Sequence, residues 1–372
     1  MPSSLHTHSY MSLLDGFSSP EENLKRASEL GLKAIAVTEH GEVTSWPYYS
    51  ELKDKYPDVK LLYGIEAYEC EDREVKDKNS KYWHLIIIAK NEAGRQAVNR
   101  LSTLGHLHGF YSRPRITKED IAKEDTNNLI ILSACLASRL SKTDDYDTCV
   151  KLVQEYKNLF PHYYLEVQAH ANSEQAKYNQ KIMRLANDTH TKVVVTNDVH
   201  AATKEDLYYQ DYFLRIAHDT ETAAEIYEGC YFMSRKEQHE VLDGQIGYDA
   251  AEWCINNTDE VADLCDYVDM PWHEPELPKI EIPPQYSNSA AYLKDLAKEG
   301  WKKRGIDKFD VEKQKIYRKR VDDELFVIEK KDFCDYFLIL VDYINWCKKN
   351  GVIVGPGRGS AAGSLVCYLI SI

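Results

Sequence analysis

Short apolar runs alternate along the first two hundred residues with stretches whose apolar positions return at helical spacing. The first strand includes Ser4 to His8. Ser19-Pro20-Glu21-Glu22 then predicts a helix start: Ser19 caps, Pro20 suits the first helical position, and Glu22 completes a capping box. Gly31 ends that helix. Ala34–Thr38 is a buried strand with Glu39 and His40 at its C-terminal end, Trp46–Tyr56 is helical, and Val59–Tyr63 is a third strand ending near Gly64 and Glu66. His84–Ala89 is a fourth strand, followed by a helix over Glu92–Leu104. Leu129–Leu132 is a fifth, with Ser133-Ala134-Cys135 behind it, and Tyr163–Val167 is a sixth. Lys192–Val195 is a seventh, running straight into Thr196-Asn197-Asp198-Val199-His200. Helical patterns over Asp147–Asn158 and Gln175–Thr189 fill gaps between them.

Strand and helix alternating in this way imply an α/β fold around a largely parallel sheet. Seven strands suggest a closed or nearly closed barrel, in which chemistry gathers at the C-terminal strand ends. After Cys265 the texture changes. Pro271-Trp272-His273-Glu274-Pro275-Glu276-Leu277-Pro278 and Ile282-Pro283-Pro284 predict a proline-rich linker. Helical patterns follow over Ala290–Lys303, Val311–Glu329 and Tyr336–Lys349, and then a glycine-rich tail. The expected division is residues 1–268 for the barrel, 269–288 for the linker and 289–372 for a mainly helical segment.

Charge adds a second contrast. The formal net charge is −14, which argues weakly against nucleic-acid binding. Residues 301–372 nevertheless hold 14 Lys+Arg against 10 Asp+Glu, a net of +4, leaving −18 for residues 1–300. Surface solvation of two different domains accounts for the split as well as an acidic front domain with a C-terminal piece able to face phosphates. The nine cysteines show no CxxC pair, which fits a reducing cytoplasm. No run of about 18 apolar residues suggests a membrane span.

Candidate chemistry begins at His6-x-His8. Side chains two apart on a strand share a face, so both rings can reach one cation. Glu39-His40, Glu66, Cys135, Asp198 and His200 fall at predicted strand ends, His84 opens a strand, and Asp15 lies in the loop after the first. Imidazole, carboxylate and one thiolate suit zinc, manganese or iron better than calcium, and Cys135 favours zinc. A cluster of such ions serves phosphate ester hydrolysis. Taken singly, Cys135 reads as a buried small residue, Glu66 as an ion-pair partner and Asp198 as a helix cap; their convergence is what points to metal. His106 and His108 also read His-x-His but end a predicted helix, where that spacing shares no face. Arg113 and Arg115 suit either DNA phosphate or surface ion pairs.

These residues together resemble the polymerase and histidinol phosphatase (PHP) domain. The resemblance implies a distorted (β/α)7 barrel with nine ligands for three divalent metal ions: His6, His8, Asp15, His40, Glu66, His84, Cys135, Asp198 and His200. It implies catalytic roles for His8, Asp15, Asp198 and His200. Asp at the third position and Cys at the seventh resemble the polymerase-linked branch, and Glu39 stands where the family more usually has Asp. Asp335-Tyr336-Phe337-Leu338-Ile339-Leu340 and Val354-Gly355-Pro356-Gly357-Arg358-Gly359-Ser360-Ala361-Ala362-Gly363-Ser364 resemble the alpha subunits of bacterial replicative DNA polymerase III. There the segment lies in the palm and contacts the incoming nucleotide triphosphate, which implies that role for Gly357, Arg358, Gly359 and Ser360. The chemistry suits it: glycines let backbone N–H groups approach phosphate, Arg358 offers a charged fork, and Ser360 and Ser364 add donors.

The resemblance implies DNA at a primer-template 3′ end and deoxynucleoside triphosphates as partners, and magnesium at the polymerase site of the full-length protein. It further implies a cytoplasmic location and a sliding clamp and other replisome proteins reached through regions outside this chain. The family's paired palm aspartates lie beyond the glycine-rich motif, and the chain ends at Ile372 before such a pair, so the chain alone is not expected to polymerise. For the barrel, 3′–5′ proofreading exonuclease activity is the leading expectation. A structural metal-braced domain that docks a partner, or a stand-alone phosphoesterase, are the alternatives.

Overall fold

Alternation within each apolar run decides which side of the sheet a side chain takes, and this sorting builds two apolar layers. The computed structural model describes residues 2–78, 80–219, 227–270, 276–355, 357 and 359–372. Its strands are β1 (Ser4–Thr7), β2 (Ala34–Val37), β3 (Lys60–Glu69), β4 (Trp83–Ala89), β5 (Phe110–Tyr111), β6 (Arg113–Ile116), β7 (Leu129–Leu132), β8 (Tyr163–Gln168) and β9 (Val193–Thr196). Helices α1 (Pro20–Glu29), α2 (Trp46–Leu52), α3 (Glu92–Leu107), α4 (Lys118–Ala122), α5 (Tyr146–Leu159) and α6 (Ser173–Thr189) lie between them. Helices α7 (Leu207–His218), α8 (Arg235–Ile246) and α9 (Tyr248–Leu264) follow.

The main sheet runs β1-β2-β3-β4-β7-β8-β9. It is nearly closed by β1 meeting the segment after β9: the His8 N–H donates to the Val199 carbonyl at 2.7 Å, and the Val199 N–H to that of His6 at 3.0 Å. Ile35, Val37, Leu85, Ile87, Ile131 and Leu165 face the helices in the larger core. Leu5, Ala36, Leu62, Ile86, Ile130 and Val194 fill the barrel interior. Further along the same inward face the residues turn polar: Glu66, Glu166, Gln168 and Thr196 are all buried.

The sheet is largely parallel, as expected, with β4 its one antiparallel member, running against both β3 and β7. No helix lies between β3 and β4, so the chain returns along its neighbour instead of crossing over. β3 also runs on to Glu69, well past the expected end at Tyr63. Its first half pairs with β2 and its second half, from Gly64 onward, pairs with β4. Helices α7 to α9 and the short ribbon β5–β6 were not foreseen, and α2 stops at Leu52 before a tight turn over Lys53–Lys55. The first helix follows its local code: the Glu22 N–H donates to Ser19 Oγ at 3.2 Å and the Ser19 N–H to Glu22 Oε2 at 2.8 Å.

The chain divides into two compact units, Met1–Met270 and Pro271–Ile372. The second holds α10 (Ser289–Lys303), α11 (Val311–Lys330), α12 (Cys334–Lys349) and α13 (Leu365–Ile370) around Leu293, Leu338 and Val366. Ile280 and Ile282, in the proline-rich stretch, pack against that core; Pro271–Pro275 of the expected linker lie outside the described residues. Among the described residues no helix is long and apolar enough to cross a membrane.

Two glycines give opposite expectations. A Cβ on Gly64 would meet the Ile87 carbonyl oxygen at 2.8 Å and Thr38 Cγ2 at 3.0 Å, whereas one on Gly244 in α8 would meet nothing within 4 Å. Gly64→Ala should therefore cost about 1–3 kcal/mol through overpacking. Gly244→Ala should add roughly 0.5–1 kcal/mol through helix propensity. Urea unfolding of both variants, with the shifts opposite in sign, checks the packing of the barrel centre.

Candidate metal centre

The polar end of the barrel brings the sequence-predicted donors to one place. Glu66, fully buried on β3, is their hub. Its Oε1 lies 2.7 Å from His84 Nδ1 and 3.2 Å from His6 Nε2, and its Oε2 lies 2.5 Å from His40 Nδ1 and 3.5 Å from His8 Nε2. Asp198 Oδ1 sits 3.0 Å from His6 Nε2, 3.3 Å from His8 Nε2 and 3.5 Å from His200 Nδ1. Asp15 Oδ2 reaches His40 Nε2 at 2.7 Å and His200 Nε2 at 3.5 Å. Cys135 Sγ is 3.6 Å from His84 Nδ1 and 3.8 Å from Glu66 Oε1. All nine candidate ligands thus converge.

Loop geometry delivers several of them. Leu14, Ala134 and Asp198 all take positive φ, 62°, 61° and 50°, a region non-glycine residues seldom enter. Each is a candidate ligand or directly precedes one. His84 arrives from the other direction: because β4 is antiparallel, its first residues, Trp83 and His84, lie at the rim where the parallel strands end.

The donor set fits divalent cations. His6 Nε2, His8 Nε2, His40 Nδ1, Glu66 Oε2, Asp198 Oδ1 and His200 Nε2 are buried and lack a hydrogen-bond partner, although buried polar atoms are normally satisfied. Their atoms fall into three overlapping triads, His6/His8/Asp198, His8/His40/His200 and His40/Glu66/His84, each within 4.8 Å. Without cations, protons do the balancing. Burial alone would lower the His200 pKa, but Asp15 and Asp198 outweigh it and raise it to about 9. His6 is likewise raised against burial, by Asp198, Glu66 and Glu166, and His40 by Glu66 and Asp15. His8 goes the other way, to about 3, through burial and the neighbouring His40 and His200. Burial and the nearby Asp198 and Glu66 push the Cys135 thiol up.

Several functional neighbours escaped the sequence reading. Glu166 Oε1 accepts from His6 Nδ1 at 3.0 Å and from Thr196 Oγ1 at 2.6 Å, which fixes the His6 ring with Nε2 toward the centre. A charge at an inward position of the strand Tyr163–Gln168 was its visible signal. The Tyr227 hydroxyl donates to Asp15 Oδ1 at 3.0 Å, and burial and Asp15 hold its phenol far above its ordinary pKa. Glu39 is no ligand: it accepts from the Ser9 N–H and from the hydroxyls of Ser9 and Ser12, both at 2.5 Å. His106 donates from Nε2 to the Gly41 carbonyl at 3.2 Å and joins no triad.

Arg115 does not face the site. It is fully buried, donating to the carbonyls of Gly109, Val75 and Arg73 at 3.1, 2.9 and 3.0 Å. Arg113 lines a cavity of about 590 Å³ together with six of the candidate ligands: Asp15, His40, His84, Cys135, Asp198 and His200. In the second unit Gly357, Gly359 and Ser360 are exposed, and Gly359 has φ +66°; Arg358 lies outside the described residues. Ser364 is not a free donor, because its Oγ caps α13 at Cys367 N (3.1 Å) and donates to Glu324 Oε2 (2.8 Å). All nine cysteines are free.

Residues 4–170 match the PHP domain, and residues 291–372 match the bacterial DNA polymerase III alpha NTPase domain. Over 99% of its length the chain is similar to DNA polymerase III subunit alpha of Aquifex aeolicus (strain VF5), with 34% identity over 394 residues. The same coverage holds for that subunit of Treponema pallidum (strain Nichols), with 32% identity over 381 residues. The chain spans 33% and 32% of those two proteins, about a third of the curated relatives it matches. Among solved structures, an amidohydrolase from Chromobacterium violaceum overlays 54% of this chain and 88% of its own at 12% identity, with a TM-score of 0.38, too low to carry weight.

Two outcomes test the centre. Ligands bind cations only when deprotonated, so loading with manganese or zinc should release protons, seen as a buffer-dependent calorimetric enthalpy. The stability that protonated His200 lends the cation-free protein is complete below its ordinary 6.5 and lost as pH rises through about 9. Cation binding strengthens over the same window, so the gain in Tm on adding metal should grow from pH 6.5 to 9. Separately, Glu166→Gln should weaken metal affinity by about 10- to 100-fold, as loss of a partner behind a ligand does; metal titration with a competing chelator measures it.

Proposed function

The chain carries a PHP domain joined to a segment of the bacterial DNA polymerase III alpha family, and from that premise we propose that the barrel is a metal-dependent phosphodiesterase acting at the 3′ end of DNA. The supporting observation is the convergence of nine donor side chains, six of them with buried unpartnered atoms, with Asp15, His40, His84, Cys135, Asp198 and His200 lining an open cavity and His6, His8 and Glu66 buried behind them. Zinc or manganese ions, three by the family's ligand count, would lower the pKa of a water molecule and neutralise charge on the phosphoryl oxygens.

This chain's own residues prepare that chemistry. Between them Glu66 and Asp198 contact five imidazoles, those of His6, His8, His40, His84 and His200, before any substrate arrives. His8, Asp15, Asp198 and His200 stand nearest the reacting phosphate in this reading. Asp15 orders His40 and His200 from one side, and Tyr227 keeps its proton directed at Asp15 Oδ1. In the second unit the same premise assigns the triphosphate of an incoming deoxynucleotide to Gly357, Arg358, Gly359 and Ser360, with magnesium, in the longer polymerase. The exposure of Gly357, Gly359 and Ser360 supports it. Polymerisation, the primer-template and clamp contacts belong to that longer protein.

The decisive assay pairs metal content with cleavage of a 3′-mismatched primer, on one preparation each of wild type, His8→Ala and Asp198→Ala. The expected result is bound cations and 3′–5′ cleavage in wild type, with the rate reduced on the order of 10²-fold or more in both variants. Bound cations without cleavage, here and in the longer polymerase, would sink the nuclease reading in favour of a structural metal centre.

A further inference from the structure

A small ribbon at the rim is built to present a single exposed arginine. β6 pairs parallel with the end of β3 through Tyr68↔Arg115 and Glu69↔Ile116, and β5 folds back on it through Tyr111↔Arg113. The turn between them holds Ser112 at φ +62°, and a side chain on Gly109 would collide with the Arg115 carbonyl. From behind, the buried Arg115 ties the ribbon to the carbonyls of residues 73, 75 and 109. A strained turn, an obligatory glycine and a buried guanidinium all serve to fix two or three residues in front of the cavity.

What the ribbon presents is chemically coherent. Arg113 rests its guanidinium over the Tyr68 ring, 5.5 Å from the centroid, and lines the same cavity as the metal ligands. Tyr82 meets Tyr68 edge-on at 5.2 Å and is 39% exposed. Phe110 is 52% exposed and stacks with His106 at 6.3 Å. Tyr68 itself touches His84 edge-on at 5.3 Å, so this wall begins at the ligands and runs outward. A planar fork of donors suits a phosphodiester, and exposed aromatic faces suit unstacked bases.

We propose that Arg113, Tyr82 and Phe110 form a strand-binding subsite for single-stranded nucleic acid, with Arg113 on a backbone phosphate next to the metal centre and the two aromatic rings stacking the adjoining bases. The subsite takes its ligand class from the phosphodiesterase reading above. It accepts a frayed single strand, whose bases are free to stack, and not a paired duplex end. Arg113 is a positioning residue that holds the strand in register; it does not take part in bond breaking.

The test is fluorescence anisotropy with the manganese-loaded chain and a 5′-labelled oligothymidylate carrying a 3′-terminal phosphorothioate. Arg113→Ala should weaken binding about tenfold and shallow the salt slope by about 0.7. Arg113→Lys should recover the salt slope without the full affinity. Tyr82→Ala should weaken binding at least about fivefold with the slope unchanged. Lys25→Ala, which removes an equal charge on α1, should bind as wild type does. Wild-type affinity and slope in Arg113→Ala would overturn the subsite, whether or not wild type cleaves DNA. Binding that depends on Arg113, with no cleavage here or in the longer polymerase, would instead leave the subsite and remove the nuclease reading.

Discussion

Glu66 is a carboxylate with no solvent exposure, set on the inward face of a strand, and much of the barrel answers to it. A buried lone charge costs several kcal/mol even after relaxation. Three imidazoles, those of His40, His84 and His6, lie within 3.2 Å and meet that cost. Burial by itself would raise the Glu66 pKa, but His84, His40 and His6 overcome it, and the group stays ionised far below its ordinary range. Those imidazoles come from β1, from the end of β2 and from β4, so the carboxylate couples strands that hydrogen bonding alone would join only pairwise. The lower half of the same interior is apolar, with Leu62 on the strand of Glu66 and Ile86 directly across from it. One inward face therefore carries both the plug that excludes water and the charges that need cations.

The direction of β4 follows from the same arrangement. Parallel strands deliver chemistry at their C-terminal ends, as His40 and Asp198 are delivered. Glu66 lies farther along a strand that outruns β2, with His40 bridging to it. Its partner across the sheet must then come from a strand whose start lies at that rim. Only an antiparallel β4 brings His84 there, opposite Tyr68 and one step from Glu66. One antiparallel strand is thus the geometric condition for a candidate ligand near the start of its strand.

Much of this was legible in the chain because it is local. Ser19 and Glu22 satisfy each other within one turn, and the inward–outward alternation of Ala34–Val37 or Leu129–Leu132 needs no distant information. The nine donors were legible because their types and strand-end positions are unusual together. What was hidden depends on pairing. Arg113 and Arg115 sit two apart and look equivalent, yet one is exposed and the other fully buried. The reason is that β6 changes partner between them: Arg113 faces β5, whereas Arg115 has entered the register of β3. Ser364 was misread for a similar reason. Its hydroxyl is consumed by α13 and by Glu324, forty residues away.

Glu39 shows how residues outside the ring of ligands decide what the ring can do. The Ser12 hydroxyl donates its one proton to Glu39 Oε2, and the same oxygen lies 3.0 Å from His8 Nδ1. With its proton committed, Ser12 can only accept, so His8 must carry its hydrogen on Nδ1. That leaves His8 Nε2 bare and facing Asp198 and Glu66. Glu166 imposes the same tautomer on His6 by accepting directly from its Nδ1. The two histidines of the first strand are thus oriented by two different carboxylates, one acting through a serine and one in contact. An aspartate at position 39, shorter by one methylene, would draw the carboxylate back from both serines and release His8 to either tautomer. The length of that side chain, rather than its charge alone, is what keeps the His8 lone pair pointed into the centre.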